Sequence, residues 1–133
     1  IVDAAMNDLM RPTLYNAHHA IVPVNEAPDG AQHTEVEVVG PICETGDTFG
    51  KQRLPEPGEG DLLAIRTAGA YGAVMASVYN TRPLVPEVMV NGAEVAVIRD
   101  RISVDDMLSR ESLPDWRSGD EAARGQERTE AGE

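Results

Sequence analysis

Polar and apolar positions alternate most clearly over Glu35-Val36-Glu37-Val38, which predicts a strand with one wet face. Upstream, Met6, Leu9 and Met10 fall at helical spacing between Asp3 and Tyr15, and Pro12 is expected to end or kink a helix there. The apolar run from Ala20 to Val24 predicts another strand, with Pro23 favouring a sheet edge. Asn25 to Thr34 reads as a loop turning at Asp29-Gly30. Gly40-Pro41 breaks the alternating strand, and a polar loop carrying Cys43, Glu44 and Asp47 follows. Leu54 to Gly60, rich in proline and glycine, predicts a turn, and Leu62 to Arg66 a buried strand.

From Ala68 to Asn80 the chain is dominated by small residues, which let a backbone approach a ligand or another element closely. Asn91-Gly92 suits the positive φ angles of a type I′ turn, and pairing across it sets Val90 opposite Ala93 and Val88 opposite Val95. Ser103 followed by Asp106 resembles an N-cap for a short helix through Met107 and Leu108. From Arg117 to Glu133 there is no large apolar residue, so this stretch is expected to be a disordered tail. Several short strands and two short helices give a mainly β fold, a small barrel or sandwich.

Length and composition narrow this further. At 133 residues and 41% hydrophobic, the chain fits one soluble domain. Aromatics are only 4%, so the core is built from aliphatic side chains. The formal net charge of −12 repels phosphate backbones and argues against a nucleic-acid partner. No apolar run approaches the ~20 residues that span a bilayer, so no membrane partner is expected. A lone cysteine forms no intrachain disulfide and suits the reducing cytoplasm, where the protein is expected to act. The chain opens Ile1-Val2-Asp3 directly into patterned sequence and reads as the back part of a longer protein.

Candidate chemistry is sparse. Gly46-Asp-Thr-Phe-Gly50-Lys51 has one residue too few for a phosphate loop, with Gln52 where serine or threonine belongs. His18 and His19 are adjacent, so on a strand they point to opposite faces, and no metal site is expected. Arg11 and Tyr15, four apart, would bind a carboxylate well if they converge; a surface arginine and a half-buried tyrosine account for the spacing equally simply. Cys43, Glu44 and Asp47 place a thiol among carboxylates, which disfavour a thiolate and suit a proton donor better than a nucleophile. An ordinary acidic turn is the plainer explanation. Tyr71 stands among residues nearly without side chains, Ala68-Gly-Ala-Tyr-Gly-Ala73, either beside a flat ligand or at a tightly packed strand end.

Four segments occur in a telling order: Asp3-Ala-Ala-Met-Asn-Asp-Leu-Met-Arg-Pro-Thr-Leu-Tyr15, Gly40-Pro-Ile-Cys-Glu-Thr-Gly-Asp47, Ala68-Gly-Ala-Tyr-Gly72 and Tyr79-Asn-Thr-Arg-Pro83. Together they resemble the C-terminal part of the diaminopimelate decarboxylases, over about residues 1–113. Thr45 stands where that family usually has serine. The resemblance implies a Greek-key-like β-barrel similar to the C-terminal domain of alanine racemase over 1–113, with 114–133 an acidic tail beyond it. It implies a homodimeric enzyme using pyridoxal 5′-phosphate (PLP), which converts meso-2,6-diaminopimelate to L-lysine and CO₂.

The family's N-terminal barrel, with its Schiff-base lysine, is absent here, and Lys51 matches no such motif; the fragment alone is expected to be inactive. By resemblance, Cys43 donates a proton in the partner subunit's active site. Arg11 and Tyr15 bind the substrate's distal carboxylate, Glu44 its distal ammonium, and Tyr71 both PLP and substrate. The alternatives are another decarboxylase of the same fold, acting on ornithine or arginine, and a non-catalytic β-barrel binding module. The Arg11–Tyr15 pair argues against substrates that lack the distal carboxylate.

Overall fold

A computed structural model describes residues 1–118 of the chain. They divide into two units, one spanning Ile1–Arg101 and a second beginning at Ile102. In the first unit six strands form three antiparallel pairs. β1 (Ile21–Pro23) pairs with β4 (Leu63–Ile65), β2 (His33–Val39) with β3 (Thr48–Pro55), and β5 (Glu87–Asn91) with β6 (Glu94–Arg99). The fold is mainly β as expected, but no ladder among the described residues joins the pairs into a closed barrel.

The core is aliphatic apart from one ring: Leu9, Ile21, Val38, Phe49 and Leu54 form its buried cluster. β2 follows the alternation, burying Val38 and exposing Glu35 and Glu37. β3 was hidden in the sequence. Its Phe49, Gln52 and Leu54 are buried while Lys51 and Arg53 are exposed, so the Gly46–Lys51 stretch that fails as a phosphate loop is the entry to a strand. Leu54 and Pro55 belong to that strand, and the turn expected from Leu54 begins after them. Gly50, at φ 82°, sits where the β2–β3 register shifts between Val38 and Val39. There a bulge needs the left-handed conformation that glycine adopts freely.

Three further expectations change. Pro12 starts a helix: α1 runs Arg11–Tyr15 with proline in its first turn, where the missing N–H costs nothing. The small-residue run is no strand end but α2 (Gly69–Met75), followed by a 3-10 turn at Tyr79–Thr81. Gly72 is buried in α2, and its missing side chain leaves space for Leu9, whose Cδ1 would lie 3.4 Å from a Cβ there. The hairpin turns one residue later than expected, on Gly92-Ala93, so that Val90 faces Val95 and Val88 faces Val97. Only Gly92 takes a positive φ, as a type II′ turn requires at its first central position.

In the second unit α3 (Val104–Leu108) begins with the expected cap. The Asp106 N–H donates to Ser103 Oγ at 3.0 Å, and the Ser103 N–H donates back to the Asp106 carboxylate at 2.9 Å. The Ser103 hydroxyl and amide hold the Asp106 carboxyl below its ordinary value. Its contribution to the cap is therefore present above the ordinary carboxylate range and lost as pH falls through the lowered pKa. Asp115–Ser118 forms a last short helix, α4, and the remainder of the expected tail lies outside the described residues.

Candidate functional site

All five candidate residues gather around α1 or the elements that touch it. Arg11 opens the helix, and its guanidinium carbon lies 5.4 Å from the centre of the Tyr71 ring, bringing α1 onto α2. This is the stacked cation–π geometry that suits arginine. Two residues on, Thr13 donates its hydroxyl proton to the Gly46 carbonyl at 2.6 Å, docking the same helix on the Cys43 loop. A Cβ on Gly46 would approach the Thr13 methyl to 2.9 Å, so only glycine permits the contact at this distance. Tyr15 closes the helix, exposed, and Asn16 caps it in the left-handed conformation at φ 51°.

Cys43, Glu44 and Tyr71 are likewise exposed. Glu44 is tied only to its own loop, weakly accepting from the Thr45 hydroxyl and the Gly46 amide, each at 3.4 Å. Among the described residues neither Arg11 nor Glu44 has an ion-pair partner. α1 is thus tied to α2 through Arg11 and to the Cys43 loop through Thr13, while Tyr15, Cys43, Glu44 and Tyr71 keep exposed side chains. Arg11 lies over the Tyr71 ring, and Tyr15, four residues on, ends the same short helix.

Lys51 plays no part. It stands on β3, donating to Glu35 Oε1 at 2.9 Å, and that carboxylate holds the ammonium charged by raising its pKa. His19 is buried, and its Nδ1–H donates to the Arg66 carbonyl at 3.1 Å. His18 and His33 are exposed, and no cluster of three metal-ligating side chains occurs among the described residues. A groove of about 810 Å³ is lined by Val2, Ile21, Val36, Leu54, Leu63 and Ile65 among others, and none of the five candidates borders it.

Two contributors escaped sequence reasoning. Asn7 is fully buried and bonds with both the Ser77 amide and carbonyl, while Arg82 Nε donates to its Oδ1 at 2.8 Å. This ties the stretch before α1 to the Tyr79–Pro83 segment, a sequence feature with no role assignable from residue type. Asp47, named in the sequence only as one carboxylate of the Cys43 loop, is buried as well.

Comparison with known proteins gives one consistent result. The profile of the pyridoxal-dependent decarboxylase C-terminal sheet domain matches residues 1–69. The chain is 53% identical to the diaminopimelate decarboxylase of Zymomonas mobilis over 117 residues, which are 87% of this chain and 27% of that protein. It is 54% identical to the enzyme of the same name from Neisseria meningitidis over 114 residues, 84% of this chain and 27% of the relative. The crystal structure of diaminopimelate decarboxylase from Helicobacter pylori complexed with L-lysine superposes with a TM-score of 0.74 at 43% identity, over 81% of this chain and 26% of that one. The chain therefore spans about 27% of the length of the curated relatives it matches.

Proposed function

We propose, on the premise that this chain belongs to the pyridoxal-dependent decarboxylases through their C-terminal sheet domain, that it completes the active site of a diaminopimelate decarboxylase. The observation that carries the reading is that α1, bearing Arg11 and Tyr15, packs on Tyr71 and is hydrogen-bonded to the loop of Cys43 and Glu44, with neither Arg11 nor Glu44 in an ion pair among the described residues. A substrate with an amino-acid group at each end can use both charges. The reaction releases CO₂ from one end of meso-2,6-diaminopimelate and leaves L-lysine. The chain matches about 27% of the length of diaminopimelate decarboxylases, so the reaction is proposed for the whole polypeptide rather than for these residues alone.

The residues present fit one edge of a PLP site. The Tyr71 ring is exposed, and a Cβ on the preceding Gly69 would meet nothing within 4 Å, so a flat group can approach α2. A covalent anchor for PLP does not come from Lys51, the single lysine of the chain, which is paired with Glu35. When bound, PLP supplies the sink for the electron pair left by the departing carboxylate. Cys43 then gives the Sγ proton to the substrate α carbon. A C–H bond forms there, and the thiolate left behind regains a proton from water. Arg11 and Tyr15 orient the distal carboxylate and Glu44 the distal ammonium. The exposure of Cys43 suits a donor that serves the active site of a second copy across a two-fold dimer.

Ornithine and arginine lack the distal carboxylate and would leave Arg11 without its anion, a loss on which selectivity can be built. CO₂ release by the full-length polypeptide is expected to favour diaminopimelate over ornithine by at least about 10²-fold in kcat/KM. Equal or greater turnover of ornithine would overturn the assignment.

A further inference from the structure

Asp47 is 3% exposed, and its carboxylate reaches two separate stretches of backbone. Oδ2 accepts from the Ile42 N–H at 2.7 Å, immediately before Cys43. Oδ1 accepts from the Met6 N–H at 2.7 Å, in the turn that leads into α1. The main chain closes the same loop: the Gly40 N–H donates to the Asp47 carbonyl at 3.0 Å, and the Asp47 N–H to the Glu44 carbonyl at 3.0 Å. A Cβ on Gly40 would overlap both carboxylate oxygens, so glycine is required at Gly40 for this carboxylate to fit.

We propose that Asp47 is a positioning residue: one buried carboxylate clamps the Cys43 loop to the segment entering α1, and so fixes where the thiol stands relative to Arg11 and Tyr71. This rests on the reading of Cys43 as proton donor. The other tether between loop and helix, Thr13 to Gly46, lies on the far side of Cys43 in sequence. Asp47 is thus what holds the backbone just before the thiol. Hydrogen bonds from two amides to two different oxygens also make the role specific to a carboxylate. Asparagine offers one oxygen, and its NH₂ would face the second N–H without bonding to it.

The test uses the full-length enzyme loaded with PLP. Asp47→Asn and Gly40→Ala, which disturb the same carboxylate from opposite directions, are each expected to lower kcat by about 10–10²-fold with little change in KM, the upper end being the cost of ~1 Å of misplacement. The solvent deuterium isotope effect on kcat should rise in both, because proton delivery has become slower than the other steps. Ile21→Val, which loosens the core at β1 away from the Cys43 loop and its clamp, should lower the melting temperature and leave that isotope effect unchanged. A wild-type isotope effect and kcat in folded Asp47→Asn and Gly40→Ala would overturn the proposal. If the wild type itself fails to act on diaminopimelate, the substrate assignment is what fails. The clamp is then read from the rate of Cys43 alkylation by iodoacetamide, followed by mass spectrometry of its peptide. A several-fold change in Asp47→Asn supports the clamp, and an unchanged rate refutes it.

Discussion

Replacing Cys43 by alanine in the full-length enzyme is expected to lower kcat by roughly 10²–10⁴-fold, the share a positioned acid contributes. KM for diaminopimelate should hardly move. On the proposed assignment, Arg11, Tyr15 and Glu44 still bind the distal end, and the thiol acts only as the α carbon takes its proton. A loss in kcat at constant KM is the mark of an interaction made in the transition state. The same variant tests the shared site. It is mixed with a variant lacking the lysine that anchors PLP on the rest of the polypeptide, each homodimer being nearly inactive. If thiol and lysine come from different subunits, a mixed dimer holds one intact site and one doubly damaged site. With random exchange half the dimers are mixed, so activity recovers to about a quarter of wild type by two-fold symmetry. If both groups came from one subunit, verified exchange would restore nothing.

Arg11→Met should reduce kcat/KM for diaminopimelate by roughly 10–150-fold, from the ~1.5–3 kcal/mol of a hydrogen bond to a charged group. Methionine keeps an unbranched stem beside the Tyr71 ring but carries no donor. The loss should fall mainly on diaminopimelate and much less on ornithine, so the preference between the two narrows. Steady-state kinetics with both substrates checks this. An equal loss on both would mean that Arg11 serves Tyr71 and α2, on which its guanidinium is stacked, rather than the distal carboxylate.

What the sequence revealed tracks how local the physics is. The β2 alternation, the cap at Ser103 and Asp106, and the turn near Asn91 each depend on residues a few positions apart, and each was legible with at most a one-residue error in the turn. β3 was not, because glycine at its bulge and the polar Gln52 on its inner face disguised the period. Gln52 tolerates burial by donating to the His19 carbonyl at 3.1 Å, a partner 33 positions away. Pro12 was misjudged for a related reason: the spacing of Met6, Leu9 and Met10 suggested a helix already under way. In fact that stretch is a turn whose buried Ala5 and Leu9 serve the core.

The candidate site divides in the same way. Arg11, Tyr15, Cys43, Glu44 and Tyr71 could be named from the ordered motifs, and they lie on α1 and the two elements it touches. The residues that hold those elements together could not be named. Thr13 reaches Gly46, Met6 reaches Asp47, and Asn7 reaches Ser77 and Arg82 across 33, 41, 70 and 75 positions. Contacts over such distances leave no local pattern. Asp47 was visible only as a carboxylate near Cys43, and its two amide partners, on Met6 and Ile42, appear only in the fold.

The central claim, that this chain supplies one side of a diaminopimelate-decarboxylating site, is tested most directly by a chimera. Residues 1–113 would replace the matching C-terminal segment of the Zymomonas mobilis diaminopimelate decarboxylase, and CO₂ release from meso-2,6-diaminopimelate would be measured. The chimera is expected to turn over at a rate comparable to its parent's and to lose that rate on Cys43→Ala. A chimera that folds and retains PLP but releases no CO₂ from diaminopimelate would contradict the account.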